Sequence, residues 1–276
     1  QVKGLAGGHS GLTIHENRAN ALKLLAMWLE EVAQTHEMSL TLFKGGDKHN
    51  AIPRESEAVV AGPQGLRAAV EKVADSLKAR LVQEYSGTDP RLELVIGKAG
   101  ATDGLSAEDS KRFLDLLNSI PHGVDAMSKD IAGLVETSTN MARIDWEEER
   151  AVVLHSSRSS VASALERIKG RITAIARLAG AKAEHGNGYP GWQPNLESKL
   201  LAKAKESYRE VTGQDAQITA IHAGLECGII GEKYPGMEMV SFGPNMYDVH
   251  SPDERLSVSS TARFYEYLKA FIASLD

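Results

Sequence analysis

The feature that most constrains the fold is an amphipathic helical pattern near the start of the chain. In the segment 17–37, NRANALKLLAMWLEEVAQTHE, apolar residues recur at helical spacing and charged residues occupy the other face. The apolar positions are Ala21, Leu22, Leu25, Trp28, Leu29 and Val32. This spacing predicts a helix that buries one face against other elements.

Strand-like segments flank this helix. The chain opens on a short strand, alternating residues at 38–43 and an apolar run at 57–61 predict two more, and a second amphipathic helix at 65–85 precedes a strand at 92–97. The order is βαββαβ, which predicts a sheet with helices on one face.

The pattern continues with a helix at 106–119, two extended runs at 134–144 and 150–157, and a helix at about 160–179. Gly, Pro and Asn then crowd together in EHGNGYPGWQPN (184–195), a composition typical of connections. The sequence therefore predicts a domain boundary there.

The segment beyond the boundary predicts a helix at 196–212, strands at 217–224 and 239–243, and a closing helix at 258–275. Alternating helices and strands indicate part of a parallel or mixed sheet. These elements are few for an independent domain. The opening, QVKGLAGG, has no initiator Met and no signal-peptide pattern, and we expect the chain to be a piece of a longer polypeptide.

Composition excludes several classes of function. The 276 residues are 42% hydrophobic and 25% charged, as in a soluble globular protein, and no apolar run approaches the roughly 20 residues of a membrane span. A net charge of -6 without clustered Lys and Arg argues against a nucleic-acid partner. The single cysteine, Cys227, excludes an internal disulfide and fits a reducing compartment.

The first candidate for chemistry is GGHSG (7–11), which places His9 and Ser10 on a glycine-rich turn after a strand. Backbone amides and an imidazole there could meet an anion or a polarised carbonyl. The alternative is a tight turn with a solvent-facing histidine. Position 12 is Leu, so the G-x-S-x-G pattern of a hydrolase serine is absent.

A second candidate is IHAGLECG (221–228), which holds His222, Glu226 and Cys227 in a glycine-flanked turn. Ligands of α/β sheets often bind at such strand ends. A small buried cysteine explains Cys227 better than a thiol nucleophile does. Glu226 could orient a ligand or cap a helix.

A third candidate is Arg158, which follows the predicted strand RAVVLHSS and precedes a helix. Its guanidinium fork could bind a carboxylate, although the residues alone favour a surface ion pair.

The fourth candidate is His250, in the loop HSPDE (250–254), where Pro252 sets a turn beside Asp253 and Glu254. Neutral imidazole is a common zinc ligand. The chain has no H-E-x-x-H or C-x-x-C motif, so spacing alone supplies no companion ligands. Asp253 and Glu254 are expected to cap the next helix or to hold the loop.

Eight stretches, in order, carry a specific resemblance. They are KGLAGGHSGLTIHENRANALKLL, GGDKHNAIPRE, VETSTNMA, the RSS run, LAGAK, GYPGWQP, HAGLECG and SFGPNMYDVHSPDERLSV. With these motifs the chain resembles, from end to end, the aminoacyl-histidine dipeptidase family, also called cytosol non-specific dipeptidases. That family belongs to the carnosinase and aminoacylase clan of di-zinc metallopeptidases.

The resemblance implies an α/β fold of two parts. Residues 1–185 would form a two-layer α+β lid and dimerisation domain, and residues 186–276 the C-terminal part of an α/β di-zinc catalytic domain. The family's other metal ligands and its catalytic carboxylates precede the lid, and this chain does not contain them.

The resemblance also implies roles for five residues. His9 would stabilise the oxyanion in the active site of the partner subunit, and Arg158, with Asn140 beside it, would bind the substrate. Glu226 would line the substrate pocket, and His250 would be a metal ligand.

The function implied is a cytoplasmic, homodimeric, metal-dependent dipeptidase that hydrolyses dipeptides such as Xaa-His. It would use two zinc ions per active site, with manganese or cobalt as alternatives. The other reading is a non-catalytic dimerisation and substrate-lid fragment. Because catalytic zinc usually takes three protein ligands per metal, the 276 residues alone are predicted to be inactive.

Overall fold

The computed structural model describes the chain apart from residues 101–102, 148–149, 187, 189, 193–194, 220–225, 248–253 and 276. Its described residues form two compact units, one up to residue 186 and one from residue 188 onward. The boundary predicted after residue 185 lies beside this division, whereas the assignment of the parts to a lid and a catalytic domain stays a prediction. No described helix has the length and apolar character needed to cross a membrane.

The first unit contains four α-helices, one short 3-10 helix (Ile14–Glu16) and nine strands among its described residues. In chain order these are β1 (Val2–Lys3), β2 (Gly8–His9), α1 (Ala21–Ala33), β3 (Ser39–Gly46), β4 (Ala51–Ile52), β5 (Ser56–Ala61), α2 (Leu66–Tyr85), β6 (Glu93–Leu94), α3 (Ala107–Ser119), β7 (Gly123–Met127), β8 (Val135–Trp146), β9 (Ala151–Ser159) and α4 (Ala162–Leu178). The four helices predicted in this part are confirmed. The strands β2, β4 and β7 were not predicted, and the strand expected at 92–97 is reduced to β6.

Seven of the strands form one sheet, in the order β6-β1-β5-β3-β8-β7, with β9 also paired to β8. All of these pairings are antiparallel. The long strand β8 pairs with β9 along one edge and with β3 and β7 along the other. The two-residue strands β2 and β4 form a separate small sheet, and β4 packs against β8.

The helices cover one face of the large sheet. Helix α1 packs on strands β1, β3, β5 and β8 and lies between α2 and α3, while α4 packs on β8 and β9. The apolar stripe of α1 is buried, and the Trp28 indole, 2% exposed, also donates its N–H to the carbonyl of Val70 at 3.2 Å. The predicted two-layer α+β arrangement is therefore confirmed.

Asn20 begins α1 and ties it to the sheet. Its Oδ1 accepts hydrogen bonds from the amides of Leu22 (3.0 Å) and Lys23 (3.3 Å), which otherwise have no helical partner. Its Nδ2 donates to the carbonyl of Met141 on β8 at 2.8 Å. One side chain thus caps the helix and sets its distance from β8.

The second unit is mainly helical in its described residues. It contains α5 (Lys199–Thr212), α6 (Glu226–Lys233), the antiparallel pair β10 (Met246–Tyr247) and β11 (Arg255–Leu256), and α7 (Val258–Ala273). Helices α5 and α7 pack through Ala204, Tyr267 and Phe271, and the Tyr267 hydroxyl donates to the Ala204 carbonyl at 3.0 Å.

The strand predictions for the second unit are wrong where the structure describes them. Residues 217–219 and 239–243 are not in strands, and 220–224 lie outside the described residues. A strand persists only when a neighbour completes its backbone hydrogen bonds, and β10 and β11 are the one strand pair that the described part of this unit contains. The alternation of apolar and polar residues along a segment does not show whether a neighbouring strand is present to pair with it.

Candidate functional site

His9 lies in the small sheet formed by β2 and β4, where it pairs with Ala51. Its Nδ1 accepts hydrogen bonds from the backbone amides of Gly11 and Leu12, both at 3.1 Å. A ring nitrogen that accepts two N–H donors carries no proton, so the neutral ring has its proton on Nε2. These hydrogen bonds assign the tautomer. His9 therefore presents an N–H donor, the group that an oxyanion requires.

Two glycines allow the chain to enter this turn. Gly7 has φ of 63° and Gly8 has φ of 147°, values that L side chains rarely adopt. A Cβ on Gly8 would also overlap the hydroxyl of Thr13, which donates to the His9 carbonyl at 3.1 Å. The sequence GGHSG is thus a conformational requirement of the His9 turn.

Asn140 lies on β8, is 1% exposed and connects to the His9 sheet. Its Nδ2 donates to the carbonyl of Ala51 at 2.8 Å, and Ala51 is the residue that pairs with His9. Its Oδ1 is buried and has no hydrogen-bond partner within the described chain. A buried acceptor without a partner is costly, which favours a donor supplied by a ligand.

Arg158 lies on β9, and strand geometry places it on the same face as Asn140. Asn140 pairs with Ser156 and Ser138 pairs with Arg158, with no irregularity between these positions. Opposed residues of an antiparallel pair share a face, and so do residues two apart. Asn140 and Arg158 are therefore diagonal neighbours, with Cα atoms about 7–8 Å apart.

This face is opposite the helices. Met141 and His155 are an opposed pair whose side chains lie on the other face of the sheet. Met141 is 0% exposed and packs in the core with α1. The side chains of Asn140 and Arg158 consequently project from the other side of the sheet, on which β4 lies.

The Arg158 guanidinium is partly desolvated. Its Nε is buried and has no partner among the described residues, and burial lowers the pKa of the side chain from its usual value. A buried cation without a counter-charge is stabilised by an anionic ligand. Ser10, directly after His9, likewise has a buried hydroxyl without a described partner. Asn140 and Arg158 thus offer an acceptor for an N–H group and a donor for an anion on one sheet face, and Asn140 is linked through Ala51 to the strand that carries His9.

Two other predicted positions lie in the second unit. Glu226 is the exposed first residue of α6, and Cys227 follows it. Burial, with the charge of Glu226, raises the pKa of the Cys227 thiol, which opposes formation of a nucleophilic thiolate. No described contact joins Glu226 to a ligand-binding group, so its substrate role stays a prediction.

The predicted metal ligand His250 lies outside the described residues, as do His222, Pro252 and Asp253. Helix α7 is capped by Ser257, whose hydroxyl accepts from the amide of Ser260 at 3.3 Å, so Glu254 does not supply the cap. Within the part of the chain that the structure describes, no three His, Cys, Asp or Glu side chains are placed to hold a metal ion. The described residues therefore do not form a metal site.

A second polar cluster, which the sequence analysis missed, lies on the helix-covered face. Lys23 donates to the carbonyls of Leu117 (2.6 Å), Asn118 (2.9 Å) and Ile120 (2.8 Å), which closes the C-terminal end of α3. Burial lowers its pKa to about 8. A cavity of about 380 Å³ is lined by Lys23, His122, Thr139 and Arg171, among other residues.

Two histidines of this cluster are held neutral. Burial, followed by the charge of Lys23, lowers the pKa values of His122 and His155 to about 4, and His155 also acts on His122. Nδ1 of His122 contacts Nδ2 of Asn20 at 3.3 Å, whereas both ring nitrogens of His155 are buried without a described partner. His122 and His155 are distant in sequence, so no local motif could reveal them.

This pair predicts acid sensitivity. Because the folded pKa of each histidine, about 4, lies below its ordinary value of 6.5, the unfolded chain binds more protons between these limits. Their stabilisation is complete above pH 6.5 and is lost as pH falls toward 4. From pH 7 to pH 5 we expect each histidine to lower the free energy of unfolding by about 2 kcal/mol, and the pair by about 4 kcal/mol, as measured by urea denaturation.

The His155→Phe variant should lose about half of this pH dependence, since it removes one of two titrating groups and no described hydrogen bond. The control His49→Gln changes an exposed histidine and should keep the full slope. An unchanged slope in His155→Phe would contradict the assignment.

Known proteins resemble this chain in sequence and in structure. Residues 1–89 match the peptidase dimerisation domain. The cytosol non-specific dipeptidase of Escherichia coli (strain K12) is 34% identical over 275 residues, which cover 99% of this chain and 57% of that protein. The crystal structure of aminoacylhistidine dipeptidase from Vibrio alginolyticus matches with a TM-score of 0.91 and 36% identity, over 99% of this chain and 56% of that chain.

The chain spans about half the length of these relatives. Both similarities extend over nearly the whole of it, and the solved structure shares its fold. The resemblance to aminoacyl-histidine dipeptidases is thereby confirmed: nearly the whole of this chain is similar to about half of each of these peptidases, and its residues 1–89 match the peptidase dimerisation domain.

Proposed function

We propose that this chain is the lid, dimerisation and C-terminal catalytic part of a metal-dependent dipeptidase that hydrolyses dipeptides such as Xaa-His. The observation that carries the proposal is the partly desolvated Arg158, on the same sheet face as the unpartnered Oδ1 of Asn140 and linked through Ala51 to His9. A dipeptide has the complementary groups, because it carries a carboxylate, N–H donors and a carbonyl within a few bonds.

Arg158, Asn140 and His9 each bind a different group of such a substrate. Arg158 binds the C-terminal carboxylate through charge-assisted hydrogen bonds. Asn140 accepts an N–H of the substrate, and Nε2–H of His9 donates to the carbonyl oxygen as negative charge develops there. Because the carboxylate of a dipeptide is one residue from the scissile bond, this clamp selects dipeptides over longer peptides.

The proposal that the enzyme binds metal ions rests on the sequence resemblance alone. His250 is the proposed ligand contributed by this chain, and zinc is the proposed metal, with the remaining ligands on the part of the relatives that this chain does not match. Glu226 is proposed to line the substrate pocket.

The proposed partner is a second copy of the chain. The peptidase dimerisation domain at residues 1–89 supports a homodimer. Strand β9 has β8 as its one described neighbour, so its other edge presents backbone groups that a second chain could pair with. We propose that His9 of one subunit then serves the active site of the other. We also propose a cytoplasmic location, which the single cysteine and the name of the Escherichia coli relative support.

The second candidate function is a non-catalytic dimerisation and substrate-lid fragment. The observation that favours it is the lack of a three-ligand metal cluster among the described residues. It concerns the isolated polypeptide, whereas the first proposal concerns a complete peptidase that contains this chain.

The two candidates predict different results in one pair of assays. The isolated 276-residue chain, incubated with a His-containing dipeptide and zinc or manganese, is expected to show no turnover. A chimera in which it replaces the matching 57% of the Escherichia coli dipeptidase is expected to hydrolyse the same substrate. Turnover by the isolated chain that His250→Ala abolishes would contradict the first expectation. A folded, dimeric but inactive chimera would favour the lid-fragment reading.

A further inference from the structure

One buried carboxylate holds both ends of the loop that carries His9. Asp89 is 3% exposed, its Oδ1 accepts from the amide of Ala6 at 2.8 Å, and its Oδ2 accepts from the amide of Ala19 at 2.9 Å. Ala6 lies shortly before His9, and Ala19 directly precedes the Asn20 cap of α1. The side chain of Asp89 thus closes residues 6–19 into one anchored loop.

Other contacts of this loop are more exposed. The carbonyl of Gly7 accepts from Nη1 of Arg18 at 2.5 Å, and the carbonyl of Leu5 accepts from Nε of Arg54 at 3.1 Å. Arg54 is exposed and Arg18 is partly so, and therefore water can replace either donor. The Ala19 amide has no such substitute, because its hydrogen bond to Asp89 is buried and the Asp89 side chain is enclosed.

We propose that Asp89 is a positioning residue for His9. By holding Ala6 and Ala19, it keeps the turn in the conformation in which the amides of Gly11 and Leu12 reach Nδ1, so that the ring proton stays on Nε2. The catalytic meaning of this tautomer rests on the proposed function, but the positioning itself can be measured without substrate.

The geometry requires two acceptors on one short side chain. An asparagine at position 89 would bring one oxygen and one NH₂ group to two N–H donors, so one amide would face another donor. A glutamate would retain both acceptor oxygens with one more methylene. Asp89→Asn should therefore release one end of the loop, and Asp89→Glu should partly restore it.

The test is ¹⁵N NMR of the His9 imidazole in the full 276-residue chain, with the His9 signals identified by their loss in His9→Gln. We expect the unsubstituted chain to show a protonated Nε2 and an unprotonated Nδ1. In Asp89→Asn the two ¹⁵N shifts should move toward each other as the ring samples both tautomers, and in Asp89→Glu they should move less.

Val32→Ala controls for general loss of stability, since it truncates a fully buried residue at the far end of α1. It should lower the unfolding temperature and leave the His9 shifts unchanged. If Val32→Ala moves the shifts as Asp89→Asn does, or if Asp89→Asn leaves them in place, Asp89 does not position His9.

Activity of the chimera separates this inference from the proposed function. If both hold, Asp89→Asn should lower kcat about tenfold or more with little change in KM, as misplacement of a catalytic group does. If the shifts respond to Asp89→Asn while His9→Ala retains full activity, the positioning stands and the proposed role of His9 fails.

Discussion

Replacing Arg158 with alanine in the chimera is expected to lower kcat/KM for dipeptides by about 10²–10³-fold, mainly through KM. The guanidinium is partly desolvated and its Nε has no described partner, so a substrate carboxylate gains a hydrogen-bonded ion pair away from bulk water. Without it the carboxylate would be buried uncompensated, which costs about 2–5 kcal/mol. Steady-state kinetics measure the effect.

Two controls make this test specific. Arg143 lies on the neighbouring strand β8 and forms a surface ion pair with Asp145 at 2.8 Å, so Arg143→Ala should change kcat/KM by no more than about threefold. With a dipeptide amide, which lacks the carboxylate, Arg158→Ala should have little further effect. An equal loss on the dipeptide and on its amide would show that Arg158 does not bind the carboxylate.

Replacing His9 with alanine is expected to lower kcat by about 10²–10³-fold with KM nearly unchanged, the effect of removing one oxyanion donor. The physical reason is the tautomer, since two backbone amides on Nδ1 leave the proton on Nε2. The control His15→Ala changes an exposed histidine of the same loop and should retain activity. Thermal unfolding of both variants checks that the turn is intact.

Subunit mixing tests whether His9 acts in the partner's site. A His9→Ala chimera and a His250→Ala chimera should each have at most about 1% of the normal activity alone. After exchange, a mixed dimer has one complete site, and an equal mixture should recover about a quarter of the normal activity. No recovery, with exchange verified, would show that His9 serves the metal site of its own subunit.

The periodicity of the chain predicts most of the first unit. Helix α1 was predicted from six apolar positions at helical spacing, and α2, α3 and α4 lie within a few residues of their predicted ranges. Strand β7 was not predicted because apolar and polar residues do not clearly alternate along Gly123–Met127. Its hydrogen bonds to β8 stabilise it. The segment 239–243 shows the converse, a strand-like pattern that has no described neighbour to pair with.

Some residues of the candidate site were predicted from the sequence and others were missed. His9, Asn140 and Arg158 were selected because their motifs resemble a family, and spacing alone left His9 and Arg158 with ordinary alternatives. Asp89 has no motif, and its role follows from two amides that lie far from it in sequence. His122 and His155 were also missed, since burial next to Lys23, and not local composition, perturbs their pKa values.

The sequence by itself determined the helical and strand periods of the first unit, the glycine-rich turn at His9, and the resemblance to dipeptidases. These depend on local backbone preference and on residue identity. The tertiary structure decided that Asn140 and Arg158 share a face, that the His9 proton lies on Nε2, and that Asp89 closes the loop. Strand register, desolvation and hydrogen bonds between distant residues arise only when the chain is packed.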